Sequence, residues 1–223
     1  MSLPEVAVLV MAKAPRAGLV KTRLHPLLGP QGCAHLQTGL IRGTVLVAQL
    51  VAPTRTYLAL DSVDSPGELV GVVPAGVTVL PQSGPDLGSR MSIAAADVFR
   101  DHRGPLLLIG TDAPTLTASH LRRATELLVA GCDAVFGPAL DGGYYLVGMN
   151  GPSPALFTID PALWGGPQVL TASLAAAHQA GLRVGELPVL RDLDTPQDAA
   201  AFLAEGDLPA DIAALLRTPA GAP

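Results

Sequence analysis

The stretch Val6-Ala7-Val8-Leu9-Val10-Met11, continued by Ala12-Lys13-Ala14-Pro15-Arg16-Ala17-Gly18-Leu19-Val20-Lys21-Thr22-Arg23-Leu24, decides how this chain is built. An apolar run without alternation reads as a strand buried on both faces, the habit of parallel sheets. The loop behind it holds four cations and no acidic side chain between residues 11 and 25, although the chain carries a net charge of −5. Both lysines of the chain, Lys13 and Lys21, fall in this loop. A helical pattern follows, so the loop lies between a buried strand and a helix, where backbone N–H groups and the positive helix end favour phosphate. Lys13, Arg16, Gly18, Lys21, Thr22 and Arg23 therefore read as a polyphosphate cradle. The competing reading is a solvated loop whose cations balance nearby acids. The loop departs from a P-loop because Val20 stands at a glycine position and no glycine stands at position 15.

Outward from this stretch, further short apolar runs predict strands at Thr56–Leu60, Val77–Leu80, Leu106–Ile109, Ala134–Phe136, Tyr144–Val147 and Val184–Leu190. Helical patterns separate them at 31–51, 90–100, 118–130, 168–180 and 196–205, with a tail helix near 209–217 and a Pro/Gly/Ala end. Alternating strands and helices predict an α/β domain with a mainly parallel sheet and helices on both faces. No repeat or linker divides the 223 residues, so a single domain over 1–223 is expected. Gly and Pro together supply 45 residues, and with 49% hydrophobic residues that excess reads as turns between buried elements, not disorder.

In open α/β sheets ligands gather beyond the carboxyl ends of the strands. Three more strand ends carry Asp there. Asp112, in Gly110-Thr111-Asp112-Ala113-Pro114, suits a Mg²⁺ ligand, with Gly110 permitting close backbone approach. Thr117 is placed to cap the next helix, so Asp112 is spared that duty. Asp141-Gly142-Gly143-Tyr144 reads two ways. The glycines suit a tight turn between two strands, and they also admit a ligand that Asp141 and Tyr144 would face. In Asp192-Leu193-Asp194-Thr195-Pro196-Gln197-Asp198, Thr195, Pro196 and Asp198 suit a helix start. That leaves Asp192 and Asp194, two apart at an expected strand end, as a solvated pair or a complement to the metal site of Asp112. The loop Gln82–Arg90, with Gly88, reads as a nucleotide contact or a plain connection.

Composition excludes several classes. An acidic chain lacks the basic face of a nucleic-acid binder. No apolar run approaches the roughly 18 residues of a membrane span, and no secretory leader precedes Val6, so a soluble cytoplasmic protein is expected. Cys33 and Cys132 lie 99 positions apart without metal-ligand spacing. The five histidines make no metal pattern, and no Gly-x-Ser-x-Gly elbow supports a hydrolase.

Lys13-Ala-Pro-x-x-Gly18-x-x-Lys21-Thr-Arg-Leu24, Gly110-x-Asp112-x-Pro114 and Gly137-Pro-Ala-x-Asp141-Gly-Gly-Tyr-Tyr145 together resemble the radical-SAM/selenodomain-associated transferases, over about residues 5 to 205. More distantly, Lys21-Thr-Arg-Leu24 and Asp112-x-Pro114 resemble 2-phospholactate guanylyltransferase. The molybdenum-cofactor guanylyltransferases share a late Asp-Thr-Pro segment like Asp194-Thr195-Pro196. The resemblance implies one Rossmann-like glycosyltransferase-A (GT-A) domain that binds a nucleotide with a divalent metal, Mg²⁺ or Mn²⁺. It implies Asp112 as metal and phosphate ligand, with Asp194 or Asp192 as the second.

The expected activity is a metal-dependent nucleotidylyltransferase that joins an NMP from an NTP to a small phosphorylated or carboxylated acceptor. Lys21, Arg23 and Asp112 are its expected catalytic residues, Gly88 and Gly110 further nucleotide contacts, and Asp141, Gly142, Gly143 and Tyr144 the acceptor side. The alternatives are a glycosyltransferase using a nucleotide sugar and a nucleotide-binding protein without catalysis. No nucleic-acid or membrane partner is expected.

Overall fold

A computed structural model describes residues 5–61 and 73–218. Its strands are β1 (Ala7–Ala12), β2 (Thr56–Leu60), β3 (Thr78–Pro81), β4 (Leu106–Ile109), β5 (Ala134–Pro138), β6 (Tyr144–Met149) and β7 (Val184–Glu186). Its helices are α1 (His25–Gln49), α2 (Leu87–Phe99), α3 (Ala118–Val129), α4 (Val169–Gln179), α5 (Pro196–Glu205) and α6 (Ala210–Arg217). The Pro/Gly/Ala end of the chain lies outside the described residues.

The strands form one sheet in the order β3-β2-β1-β4-β6-β5-β7. β1 pairs in parallel with both β2 and β4, and every other pairing is parallel except those of β6, which runs antiparallel to β4 and β5. The absence of alternation in β1 now has its cause. Val8 and Val10 pack with Ile41 and Val45 of α1 and Leu121 and Leu128 of α3, while Ala7 and Leu9 face Met91 and Val98 of α2 on the other side. All six residues of the strand are buried.

β5 returns into β6 through Ala139–Gly143, where Gly142 takes φ +91°, a left-handed conformation that L side chains rarely adopt. The tight-turn reading of this Gly pair is therefore correct, and it creates the one reversal in the sheet. α3 and α5 open as their caps predict: Thr117 forms a capping box with His120, and Thr195 one with Asp198 behind Pro196.

Most boundaries lie within three residues of expectation, and two differ by more. α1 starts at His25, not 31, but Gly29 at φ 66°, ψ 172° breaks it, so the long regular part begins at Pro30, a residue suited to a first turn. β7 ends at Glu186, not Leu190. Leu187 N–H still donates to Phe136 O (2.9 Å), but the next donor is Leu190, to Pro138 O (3.0 Å), so the two-residue alternation of a strand is lost. The Asp192/Asp194 pair thus sits in an extended segment held beside β5, beyond the strand proper.

A third apolar cluster bears directly on the site. Leu24 from the basic loop and Leu193 from the Asp192/Asp194 segment are both fully buried against Leu36, Phe202, Ile212 and Leu216. α1, α5 and α6 thus clamp the two segments together. Phe202→Ala is expected to cost about 3–5 kcal/mol, read as a lower urea midpoint at unchanged slope.

Candidate active site

β1, β4, β5 and β6 leave their connecting loops around one cavity of about 430 Å³. Lys13, Lys21, Thr22 and Arg23 line it from the loop after β1, and Gly110, Thr111 and Asp112 from the loop after β4. Asp141, Gly143 and Tyr144 line it from the β5–β6 turn, and Asp192 and Asp194 from the segment after β7. Leu87, Met91, Trp164 and Val169 supply an apolar wall.

At the centre is Lys21. Its backbone takes φ 48°, ψ 40°, the one left-handed non-glycine among the described residues, at a position that opens the 3-10 turn Thr22–Leu24. This turns the side chain inward, where it is 5% exposed. Nζ donates to Asp112 Oδ1 (2.7 Å), Asp194 Oδ1 (2.8 Å) and the Leu193 carbonyl (2.9 Å), which uses all three ammonium donors. Leu193 N–H in turn donates to Asp112 O at 2.7 Å, so the two carboxylate-bearing segments are tied to each other as well as to the lysine.

Burial works against the Lys21 charge, but Asp112 and Asp194 outweigh it and raise the ammonium above its usual range. Loss of solvation likewise opposes the Asp112 charge, and Lys21 with the Thr111 hydroxyl overcomes this and holds the carboxyl below its ordinary value. Asp192 is the opposite case. Burial first, then the charges of Asp141, Asp112 and Asp194, push it up to about 8, with only Lys21 pulling the other way. Its Oδ2 is buried without a hydrogen-bond partner.

These atoms allow a test of fit for a divalent cation. Among the described residues no three His, Cys, Asp or Glu side chains are grouped to hold a metal by themselves. Mg²⁺ does not require that, since it usually takes one or two carboxylates and completes its shell with water and phosphate. Asp112 Oδ1 and Asp194 Oδ1 already converge on one cation, and the unpartnered Asp192 Oδ2 lies in the same acidic group. The donor set fits Mg²⁺ or Mn²⁺.

Other expected site residues fall elsewhere. Gly88 is a packing glycine under the 153–166 segment: a Cβ there would stand 2.5 Å from Phe157 O and 2.6 Å from the Trp164 ring. Gly142 makes the turn and abuts Pro167 O, while Gly143 lines the cavity and gives its N–H to Asp141 Oδ1 at 2.8 Å. Arg16 and Gly18 belong to the loop but not to the cavity lining. Tyr144 lines the cavity with its ring edge-on to Phe136, and burial raises its phenol well above the ordinary range.

Sequence reasoning passed over Gln37 and Trp164, and named Gln82 only as the start of the Gln82–Arg90 loop. Gln37, a buried amide on α1, donates to Lys13 O at 3.2 Å. Gln82 donates to Ala12 O and Ala59 O, both at 2.9 Å, and so braces β1 at the mouth of the cavity. The available signals were a polar residue in an apolar helical stripe and the chain's single Trp set before Gly165-Gly166.

The mostly parallel seven-stranded sheet, with its helices, matches folds of the nucleotide-sugar-transferase kind. The family described as "Uncharacterized protein conserved in bacteria (DUF2064)" matches residues 44–162, more than half of the chain, and the chain belongs to it. It is similar to a protein of Desulfovibrio desulfuricans G20 provisionally assigned as a nucleotide-diphospho-sugar transferase. That likeness has 29% identity and a TM-score of 0.85, and covers 97% of this chain and 95% of the other. A cytidylyltransferase from Leptospira borgpetersenii serovar Hardjo-bovis (strain JB197) shares the fold at 12% identity and TM-score 0.58, over 95% of this chain and 92% of its own. Rv0371c of Mycobacterium tuberculosis H37Rv, solved in complex with manganese, does so at 17% identity and TM-score 0.56, over 90% and 98%. No curated protein matches the chain. Among the described residues no helix is long and apolar enough to cross a membrane.

The Asp192 assignment predicts a pH effect. Its folded pKa stands near 8 against an ordinary 3.8. As pH rises from 4 to 8 the unfolded chain releases this proton and the folded chain keeps it, so stability falls through that window. In metal-free buffer Asp192→Asn is expected to gain on the wild type steadily between pH 4 and 8 and to level off above. Urea unfolding across pH checks it. A gap that is constant with pH would mean the carboxyl is not held protonated.

Proposed function

We propose that the chain is a metal-dependent nucleotidylyltransferase. The observation that carries this reading is the convergence of Asp112 and Asp194, within 2.8 Å, on one cationic position in a cavity whose other cations come from the loop after β1. In the proposed reaction an acceptor oxygen attacks the α-phosphorus of an NTP, the bond to the bridging oxygen breaks, and pyrophosphate leaves. Such chemistry asks chiefly for positioning and charge stabilisation.

Asp112 and Asp194, with Asp192 beside them, would hold Mg²⁺ or Mn²⁺, which supplies positive charge to the phosphate oxygens. Lys13, Thr22 and Arg23, with Arg16 and Gly18 shaping the loop, would take the phosphates, and Gly110 would let the chain backbone come close to them. Lys21 and Arg23 would neutralise charge growing on the leaving pyrophosphate. Asp141, Gly143 and Tyr144, with the apolar wall of Leu87, Met91 and Trp164, would position the acceptor. Among the cavity-lining residues every Lys and Arg lies between positions 13 and 23, so a phosphorylated acceptor would have to share the nucleotide's own cations. That supports an acceptor of small charge over the phosphorylated or carboxylated one expected from sequence.

The likeness to the Desulfovibrio protein favours a second reading, glycosyl transfer from a nucleotide sugar. A thermal-shift panel of NTPs and nucleotide sugars, with and without Mg²⁺ or Mn²⁺, separates the two. The expected result is a metal-dependent rise with one NTP, worth about 2.7 kcal/mol at a hundredfold excess over Kd. A rise confined to nucleotide sugars would transfer the assignment to glycosyl transfer. No rise with any of them would favour a protein without catalysis. Asp112→Asn is expected to lower turnover at least a hundredfold, on the order of one lost stabilising group, with its circular dichroism unchanged. Turnover at the wild-type rate would remove Asp112 from the site.

A further inference from the structure

We propose that Lys21 is a resident cation of the metal site, which a divalent ion must displace, and that the displaced ammonium becomes a phosphate ligand. The inference rests on the metal-dependent reading above and adds an order of events to it.

Occupancy is the ground for it. An ammonium has three donors, and those of Lys21 are all taken, by Asp112 Oδ1, Asp194 Oδ1 and Leu193 O at 2.7, 2.8 and 2.9 Å. In this state Lys21 has no N–H left for a phosphate oxygen. The Oδ1 atoms of both carboxylates accept from it, and like charges at contact distance exclude a second cation at the point between those two atoms. Lys21 and a metal therefore alternate on Asp112 and Asp194.

The fold confines the change to one side chain. Val20 is 2% exposed and Leu24 fully buried, so the backbone on either side of Lys21 is pinned. The Cys33 thiol also donates to Lys21 O at 3.4 Å. What can move is the four-carbon stem, with several rotatable bonds. Its near neighbours along the loop, Thr22 and Arg23, line the same cavity. An ammonium released from the carboxylates stays beside them, where the proposed phosphates lie. The resident lysine also explains how Asp112 and Asp194 can face each other across a cation without metal. The phosphate site is thus complete only after the metal has entered.

The chain has only two lysines, which gives a direct readout. Lys13 is exposed and serves as internal reference, whereas Lys21 is 5% exposed and triply bonded. Limited acetylation of the full chain with acetic anhydride, read by peptide mass spectrometry, is expected to modify Lys13 and spare Lys21 in metal-free buffer. Saturating Mn²⁺ alone is expected to raise Lys21 modification several-fold relative to Lys13.

Mn²⁺ affinity, measured by electron paramagnetic resonance of the free ion, is the second readout. Lys21→Met is expected to bind Mn²⁺ about tenfold or more tightly than the wild type, the scale of one charge-assisted hydrogen bond. Lys13→Met, which removes the same charge from the cavity wall, is expected to tighten binding much less. Asp112→Asn is expected to lose it. If Mn²⁺ binds the wild type while Lys21 stays protected and Lys21→Met gains nothing over Lys13→Met, the exchange is overturned and the metal site stands. If Mn²⁺ binds neither the wild type nor Lys21→Met, the exchange and the metal site fall together. Should Lys21→Met fail to fold, the acetylation of the wild type decides by itself.

Discussion

The three hydrogen bonds of one ammonium hold the cavity end of this molecule together. Lys21 comes from the loop after β1, Asp112 from the loop after β4, and Leu193 and Asp194 from the segment that leads into α5. These partners lie 91, 172 and 173 positions away along the chain. Paired acids placed this close would repel each other in a cavity of reduced solvation, and the lysine turns that repulsion into attachment. The left-handed backbone at Lys21 is the local cost of aiming the side chain inward. Leu24 and Leu193 meet that cost from below, since both are anchored in the same apolar cluster.

Asp192 shows what the lysine does not reach. It shares the acidic group but makes no contact with Nζ, and burial with three neighbouring carboxylates keeps it protonated at neutral pH. Within one cavity the carboxyl of Asp112, which the ammonium touches, is held down, and that of Asp192, which it does not hydrogen-bond, is pushed up. Perturbed carboxyl groups cluster at functional sites in proteins generally. Trp164 and Met91 line the same cavity of about 430 Å³, which therefore offers apolar as well as polar surface.

Much of the architecture was legible because it follows local rules. Unbroken apolar runs marked strands covered on both faces, and the clusters on each side of β1 confirm the physical reason. Thr117 and Thr195 declared helix starts through side-chain chemistry that acts within four residues. Less legible were the features set by neighbours remote in sequence. Gly88 looked like a ligand-contact glycine and proved to be a packing one, because Phe157 and Trp164 approach from a segment about seventy positions on. β7 stopped early because the donors that meet β5 step three residues, from Leu187 to Leu190, out of the two-residue alternation of a strand. Gln82 gave no local sign of bracing β1, since its two acceptors, Ala12 and Ala59, come from different strands.

Local sequence was enough for the α/β plan, the positions of most elements, and the gathering of cations in one loop and carboxylates in three others. These depend on periodicity, on caps and on the rule that ligands collect beyond strand ends, all of which act over short stretches of chain. Tertiary structure alone decided which charges meet. Four cations in a row read as a site open to phosphate, but the fold turns one of them, Lys21, away from solvent and spends its donors on acids more than ninety positions away. Charge pairing depends on distance in space, because the Coulomb energy scales inversely with separation and with the local dielectric. Composition and spacing carry neither.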